Sequence, residues 1–262
     1  MQRLDMPYGI CDLSVIPMRI EPSHRSEMVS QILFGEHFEI KEISGTWRKV
    51  KCFFDGYEGW IDEKQYLPLE LEDFQQLNKL NLHISFDLVQ VILSDDKTLI
   101  PVVLASNLPF YDKGHCRIAN FNFKYEGFVR SFEQPDKNLV VENAFTYLNA
   151  PYLWGGRTPF GIDCSGFTQM VYKLSGYRLK RDAHQQAESG QTINMIEEAE
   201  SGDLVFFDNE EGKIVHTGIL LPGGKIIHAS GKVRVDSLDH HGIFNVSQNK
   251  YTHRLRLIKR CF

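Results

Sequence analysis

Apolar and polar residues alternate through most of the first half of the chain. The segments are "VSQILFGEHFEIKEI" (29–43), "TWRKVKCFF" (46–54), "YEGWID" (57–62), "ISFDLVQVIL" (84–93), "TLIPVVLA" (98–105) and "NFNFKYEGFV" (120–129). A period of two over such short runs, broken by Gly, Asn and Asp, predicts half-buried strands in small antiparallel barrels. "WRKVKCFFDGYEGWI" (47–61) also aligns without a gap on "HCRIANFNFKYEGFV" (115–129), each ending in Tyr-Glu-Gly-aromatic-aliphatic, which predicts two copies of one barrel. The polar stretch "LELEDFQQLNKLN" (69–81) would link them.

After "RSFEQPDKN" (130–138) the period changes, and a domain boundary is placed near Gln134. "LVVENAFTYLN" (139–149) reads as a helix that stops before Pro151. Phe167, Met170, Val171 and Leu174 fall at i, i+3, i+4, i+7, which predicts an amphipathic helix starting at Cys164 and capped by Gly176. Strands follow at "DLVFFD" (203–208), "IVHTGILL" (214–221), "KIIHAS" (225–230) and "YTHRLRLIK" (251–259). Helices first and an antiparallel sheet afterwards describe an α+β domain.

Composition narrows the partners. A net charge of -5 over 262 residues, without a basic stripe, argues against nucleic acid. No apolar run approaches the roughly 20 residues that span a bilayer, and the start lacks the pattern of a signal peptide. A cytoplasmic protein is expected, or a periplasmic or exported one if a signal was trimmed. The oligomeric state is open, with a monomer favoured. Five cysteines, far apart and without CxxC spacing, suggest neither a zinc site nor a disulfide framework, so no metal and no cofactor are expected.

The chemistry centres on "GIDCSGF" (161–167). A thiol in the first turn of a helix feels the positive end of the helix dipole, which favours the thiolate and makes Cys164 a candidate nucleophile, with a buried structural cysteine as the alternative. His216 and His228 lie on strands joined by "LPGGK" (221–225). If that turn centres on Gly223, His228 becomes the diagonal neighbour of His216 on one face. One imidazole can then take the thiol proton while the other fixes its tautomer.

"PYLWGGRTPFGIDCSGFTQMVY" (151–172), "RDAHQQAESG" (181–190), "SGDLVFFD", "HTGILL" and "IIHAS" resemble the NlpC/p60 family of bacterial cell-wall cysteine peptidases. The resemblance implies a papain-like core over 135–262, with Cys164 as nucleophile, His216 as base, His228 as the orienting group and Tyr152 as an oxyanion donor. Two SH3-like barrels, over 1–70 and 71–134, further resemble the subgroup of γ-D-glutamyl-L-diamino acid endopeptidases. That resemblance implies release of L-Ala-γ-D-Glu from murein tripeptides or tetrapeptides with a free N-terminal L-Ala, as in wall-peptide recycling. It implies substrate contacts from Asp163, Ser165, Asp182 and Trp154. It also implies a site for the L-Ala amine on the first barrel, with Tyr57 and Glu27 as its residues and Glu21 as the rival carboxylate. The alternatives are a hydrolase acting on intact peptidoglycan and an acyltransferase using the same thioester.

Overall fold

The computed structural model describes residues 6–132 and 134–262, and the chain divides into two compact units, Met1–Glu133 and Gln134–Phe262. In the first unit, β1 (Tyr8–Ile10), β2 (Val15–Arg19), β3 (Met28–Leu33), β4 (His37–Ser44), β5 (Trp47–Cys52), β6 (Glu58–Asp62) and β7 (Leu67–Leu69) form one sheet. Its order is β3-β2-β6-β5-β4-β1-β7, curled around Ile16, Met18, Ile32, Phe38, Val50 and Ile61. The second barrel uses β8 (His83–Ser85), β9 (Val89–Ser94), β10 (Leu99–Val103), β11 (His115–Ile118), β12 (Phe121–Tyr125) and β13 (Val129–Ser131). These pair as β10-β9-β12-β11 and β13-β8.

The two barrels repeat one plan, since β5 pairs with β6 as β11 pairs with β12, and β6 meets β2 as β12 meets β9. The gap-free alignment of the two copies is nevertheless wrong in its second half. Residues 53–57 separate β5 from β6, whereas only Ala119 and Asn120 separate β11 from β12. Tyr57 therefore precedes β6, while Tyr125 ends β12, and the shared "YEG" falls on non-equivalent positions. The barrels also share a core of Ile10, Phe34, Leu69, Ile92, Val102, Ile118 and Phe123. The expected linker is structured as well: it supplies β7 and a short helix, α1 (Leu71–Leu77), whose Phe74 stacks on Tyr8 and whose Leu77 enters that core.

The second unit contains α2 (Leu139–Phe145), the short pair β14 (Arg157–Thr158) and β15 (Gly161–Ile162), α3 (Cys164–Lys173) and α4 (Ala183–Ala187). Its sheet comprises β16 (Gln191–Ile193), β17 (Leu204–Asp208), β18 (Ile214–Leu221), β19 (Lys225–Ser230), β20 (Lys232–Asp239), β21 (Gly242–Asn245) and β22 (Lys250–Arg260). The order is β16-β22-β17-β18-β19-β20-β21, and β22 also pairs with β21, so the antiparallel sheet closes on itself. Helix α3 packs against β18 and β19, which brings its first turn to the strands that carry the two histidines. At its other end Gly176 adopts φ +87° and lets the Tyr177 amide reach back to the Tyr172 carbonyl at 2.9 Å, closing the helix.

Candidate active site

Asp163 caps α3, accepting the Gly166 amide at 2.6 Å on Oδ1 and the Gly155 amide at 2.9 Å on Oδ2. Arg181, buried to 1% exposure, clamps the same carboxylate, with Nη2 at 2.6 Å from Oδ2 and Nη1 at 3.0 Å from Oδ1. Its Nη1 also donates to Ser165 Oγ at 3.0 Å. A buried, bidentate pair of this kind fixes geometry on both sides, and it does so here in the turn that holds the nucleophile candidate. Gly166 is required by close approach, since a Cβ there would lie 2.3 Å from the Gly156 carbonyl oxygen. The "WGG" and "DCSG" segments therefore touch backbone to backbone.

The β18–β19 register pairs Gly218 with His228, which puts His228 diagonal to His216. Both rings are buried, and His216 Nε2 lies 2.9 Å from His228 Nδ1. This leaves His216 Nδ1 as the ring nitrogen not bonded to His228. The Cys164 thiol sits beside the same strand, hydrogen-bonded by the backbone of Thr217, the residue after His216. The His253 ring stacks on His216 with centroids 4.2 Å apart and planes 24° apart. On the far side, His228 Nε2 meets Asp236 Oδ2 at 3.0 Å.

The expected thiolate needs correction. Burial first, and then the charge of Asp163, push the Cys164 thiol up to about 12, while the Thr217 and Ser165 backbone and Arg181 pull the other way and lose. A helix start cannot outweigh nearly complete removal from water together with an adjacent carboxylate. Burial likewise holds His216 well below its ordinary value, helped by His228 and His253. Burial and His228 take His253 down to about 4. Both shifts favour the uncharged forms at neutral pH, a protonated Cys164 thiol and a neutral His216 ring. A raised thiol value means less thiolate at any given pH. Iodoacetamide should therefore alkylate Cys164 more slowly at pH 7 than it does an ordinary thiol, with a rate still climbing at pH 9. A rate already level between about pH 5 and 7 would mean a preformed thiolate instead.

The other expected residues are placed as follows. Tyr152 is half-buried, and its phenol is pushed up by burial first and then by the charges of Cys164 and Asp163, so it lies within electrostatic reach of both. Trp154 is 60% exposed. Asp163 and Ser165 are tied to each other and to Arg181. Asp182 is half-buried and caps α4, with its amide donating to Gln185 Oε1 at 3.2 Å. In the first unit Tyr57 is half-buried against the first barrel's core, and Glu27 and Glu21 are both exposed.

Sequence reasoning missed Arg181, Asp236 and His253. Arg181 stood next to Asp182 in a segment already singled out. Asp236 could have been found by carrying the hairpin register one strand further: His228 pairs with Arg234, so Asp236 is its diagonal neighbour, as His228 is that of His216. Among the described residues no group of three or more His, Cys, Asp or Glu is arranged to hold a metal ion, and no helix is long and apolar enough to cross a membrane.

Residues 149–255 match the NlpC/P60 family, and residues 18–65 match the bacterial dipeptidyl-peptidase Sh3 domain. A gamma-D-glutamyl-L-lysine dipeptidyl-peptidase of Bacillus subtilis (strain 168) is 30% identical over 252 residues, covering 89% of this chain and 81% of the relative. Dipeptidyl-peptidase 6 of Lysinibacillus sphaericus is 29% identical over 253 residues, covering 84% and 87%. In fold, the crystal structure of an NlpC/P60 family protein from Bacillus cereus superposes with a TM-score of 0.81 at 20% identity, over 97% of this chain and 99% of the other. The chain is an α+β protein in which SH3-like barrels precede a papain-like domain in sequence, and it belongs to the NlpC/P60 family of cysteine-type peptidases.

Proposed function

We propose that the chain hydrolyses the bond between γ-D-glutamate and the diamino acid in murein stem peptides that carry a free N-terminal L-Ala, releasing L-Ala-γ-D-Glu. The observation that carries this reading is a buried set: the backbone of Thr217, the residue after His216, hydrogen-bonds the Cys164 thiol, and His228 Nδ1 lies 2.9 Å from His216 Nε2. Support for the substrate class comes from relatives named for γ-D-glutamyl-L-lysine dipeptidyl-peptidase activity along most of the chain, barrel region included.

In this mechanism Cys164 gives its proton to His216 Nδ1 as the sulfur attacks the γ-carbonyl carbon. Because thiol and imidazole both rest neutral, proton transfer and attack occur together, and the base stays competent below its ordinary titration range. The carbonyl oxygen gathers negative charge as the tetrahedral intermediate forms, and the Tyr152 hydroxyl is the side-chain donor assigned to it. Such a donor is commonly worth about 3 kcal/mol in the transition state. Collapse breaks the C–N bond, and His216 returns the proton to the departing amine. Water, activated by the same ring, then hydrolyses the thioester. Tyr57 and Glu27 of the first barrel are assigned to the L-Ala ammonium. A cytoplasmic role in recycling wall peptides fits a substrate with a free amine.

The test is to incubate the protein with L-Ala-γ-D-Glu-L-Lys and with its meso-diaminopimelate counterpart and to identify the products. L-Ala-γ-D-Glu and free diamino acid are expected. Free L-Ala with an intact γ-D-Glu-diamino acid peptide would refute the assignment of the bond.

A further inference from the structure

A neutral imidazole carries one N–H and one bare nitrogen, so two such rings joined by one hydrogen bond can share it in two ways. If His216 Nε2–H donates to His228 Nδ1, then His216 Nδ1 is bare and can take the thiol proton. If His228 Nδ1–H donates instead, His216 carries its proton on Nδ1 and is useless as a base. The 2.9 Å contact is compatible with both, so the two histidines cannot by themselves specify a working site.

The choice is made one residue further out. His228 Nε2 lies 3.0 Å from Asp236 Oδ2, and both side chains are buried. Burial pushes the Asp236 carboxyl up, but hydrogen bonds from His228 and Arg234 outweigh it and hold the group below the usual carboxylate range. Arg234 Nη2 donates to Asp236 Oδ1 at 2.8 Å. An ionised carboxylate only accepts, so His228 must carry its proton on Nε2. On a ring that carries a single proton, Nδ1 is then bare and takes the hydrogen bond from His216 Nε2–H.

We propose that Asp236 is a positioning residue that sets the tautomers of both histidines through the chain Asp236–His228–His216, leaving His216 Nδ1 bare for Cys164. The proposal rests on the reading of Cys164 and His216 as the acid–base pair. The charged and titratable groups around this chain are His216 on β18, Arg234 on β20 and His253 on β22, the last with its centroid 5.7 Å from that of His228 and nearly perpendicular to it. His253 Nδ1 is engaged by Thr252 Oγ1 at 2.9 Å.

The tautomers can be read directly from long-range proton–nitrogen spectra of protein labelled with 15N-histidine at pH 7. In the native protein both His216 and His228 are expected as Nε2–H. In Asp236→Ala the donors of Arg234 face His228 Nε2 without an acceptor between them, and both rings are expected to move their proton to Nδ1. Turnover should fall about 100-fold in kcat, less than the loss seen when a carboxylate in direct contact with the base is neutralised, with KM changed by less than about threefold. Asp236→Asn, closer in size, should also lose kcat. Native signals showing Nδ1–H on His228, or tautomers that stay put in Asp236→Ala even if the rate falls, would overturn the proposal. The native spectrum alone decides it should the variants fail to fold. The spectra are also independent of hydrolysis, so a mistaken nucleophile, revealed by activity in Cys164→Ala, stays distinguishable from a mistaken role for Asp236.

Discussion

Cys164→Ala should remove turnover altogether, a loss of at least about 10^4-fold, while leaving a folded protein. The thiol sits at the first position of α3, and the turn around it is held by other groups: the Asp163 cap, the Arg181 clamp and the backbone contact between Gly166 and Gly156. Removing one sulfur disturbs none of these, so circular dichroism and thermal unfolding should stay close to those of the parent. His216→Ala should be nearly as damaging, because the thiol, pushed up by burial, has no other route to ionisation near neutral pH. His228→Ala should retain more activity, since the role proposed for its ring is to orient the base rather than to exchange protons with the substrate. Hydrolysis of the tripeptide by Cys164→Ala at more than a trace of the parent rate would eliminate the proposed nucleophile.

The second large effect concerns the substrate's amine. L-Ala-γ-D-Glu-diamino acid should be cleaved on the order of 100-fold or more better, in kcat/KM, than the same peptide acetylated on its N-terminus. Glu27 is exposed, so under the proposed assignment the cost of removing it from water arises only when a peptide covers it and must then be offset by a cation. An acetylated peptide brings bulk and no charge. Changing Tyr57 to Phe together with Glu27 to Gln should raise KM for the free peptide and narrow the gap between the two substrates. Steady-state kinetics on both peptides gives the ratio. Comparable cleavage by the unmodified enzyme would point to a site open to longer, sugar-linked wall peptides.

Short-range features of this fold were legible in the sequence. The start of α3 at Cys164 follows from apolar spacing, and the diagonal placement of His216 and His228 follows from counting outward from Gly223. Features that depend on packing were not. The thiol's resting state turns on burial and on Asp163, and a pattern of letters carries no information on how much water reaches a sulfur. The "YEG" repeat misled because the hairpin in the second barrel turns over two residues where the first uses 53–57, so identical triplets occupy different stages of the strand. His253 reached the site through β22, the last strand of a sheet that closes on itself, and no local spacing announces such a contact. Asp236 was within reach of the register argument that had already placed His228.

Acyl transfer through Cys164 is tested most directly by trapping the thioester. Hydroxylamine added during hydrolysis of L-Ala-γ-D-Glu-L-Lys competes with water for an acyl-enzyme, because a thioester accepts either nucleophile. L-Ala-γ-D-Glu γ-hydroxamate should appear by mass spectrometry, rising with hydroxylamine at the expense of L-Ala-γ-D-Glu, and Cys164→Ala should form none. Consumption of the tripeptide with no hydroxamate at any hydroxylamine concentration would contradict a covalent intermediate on Cys164 and, with it, the proposed mechanism.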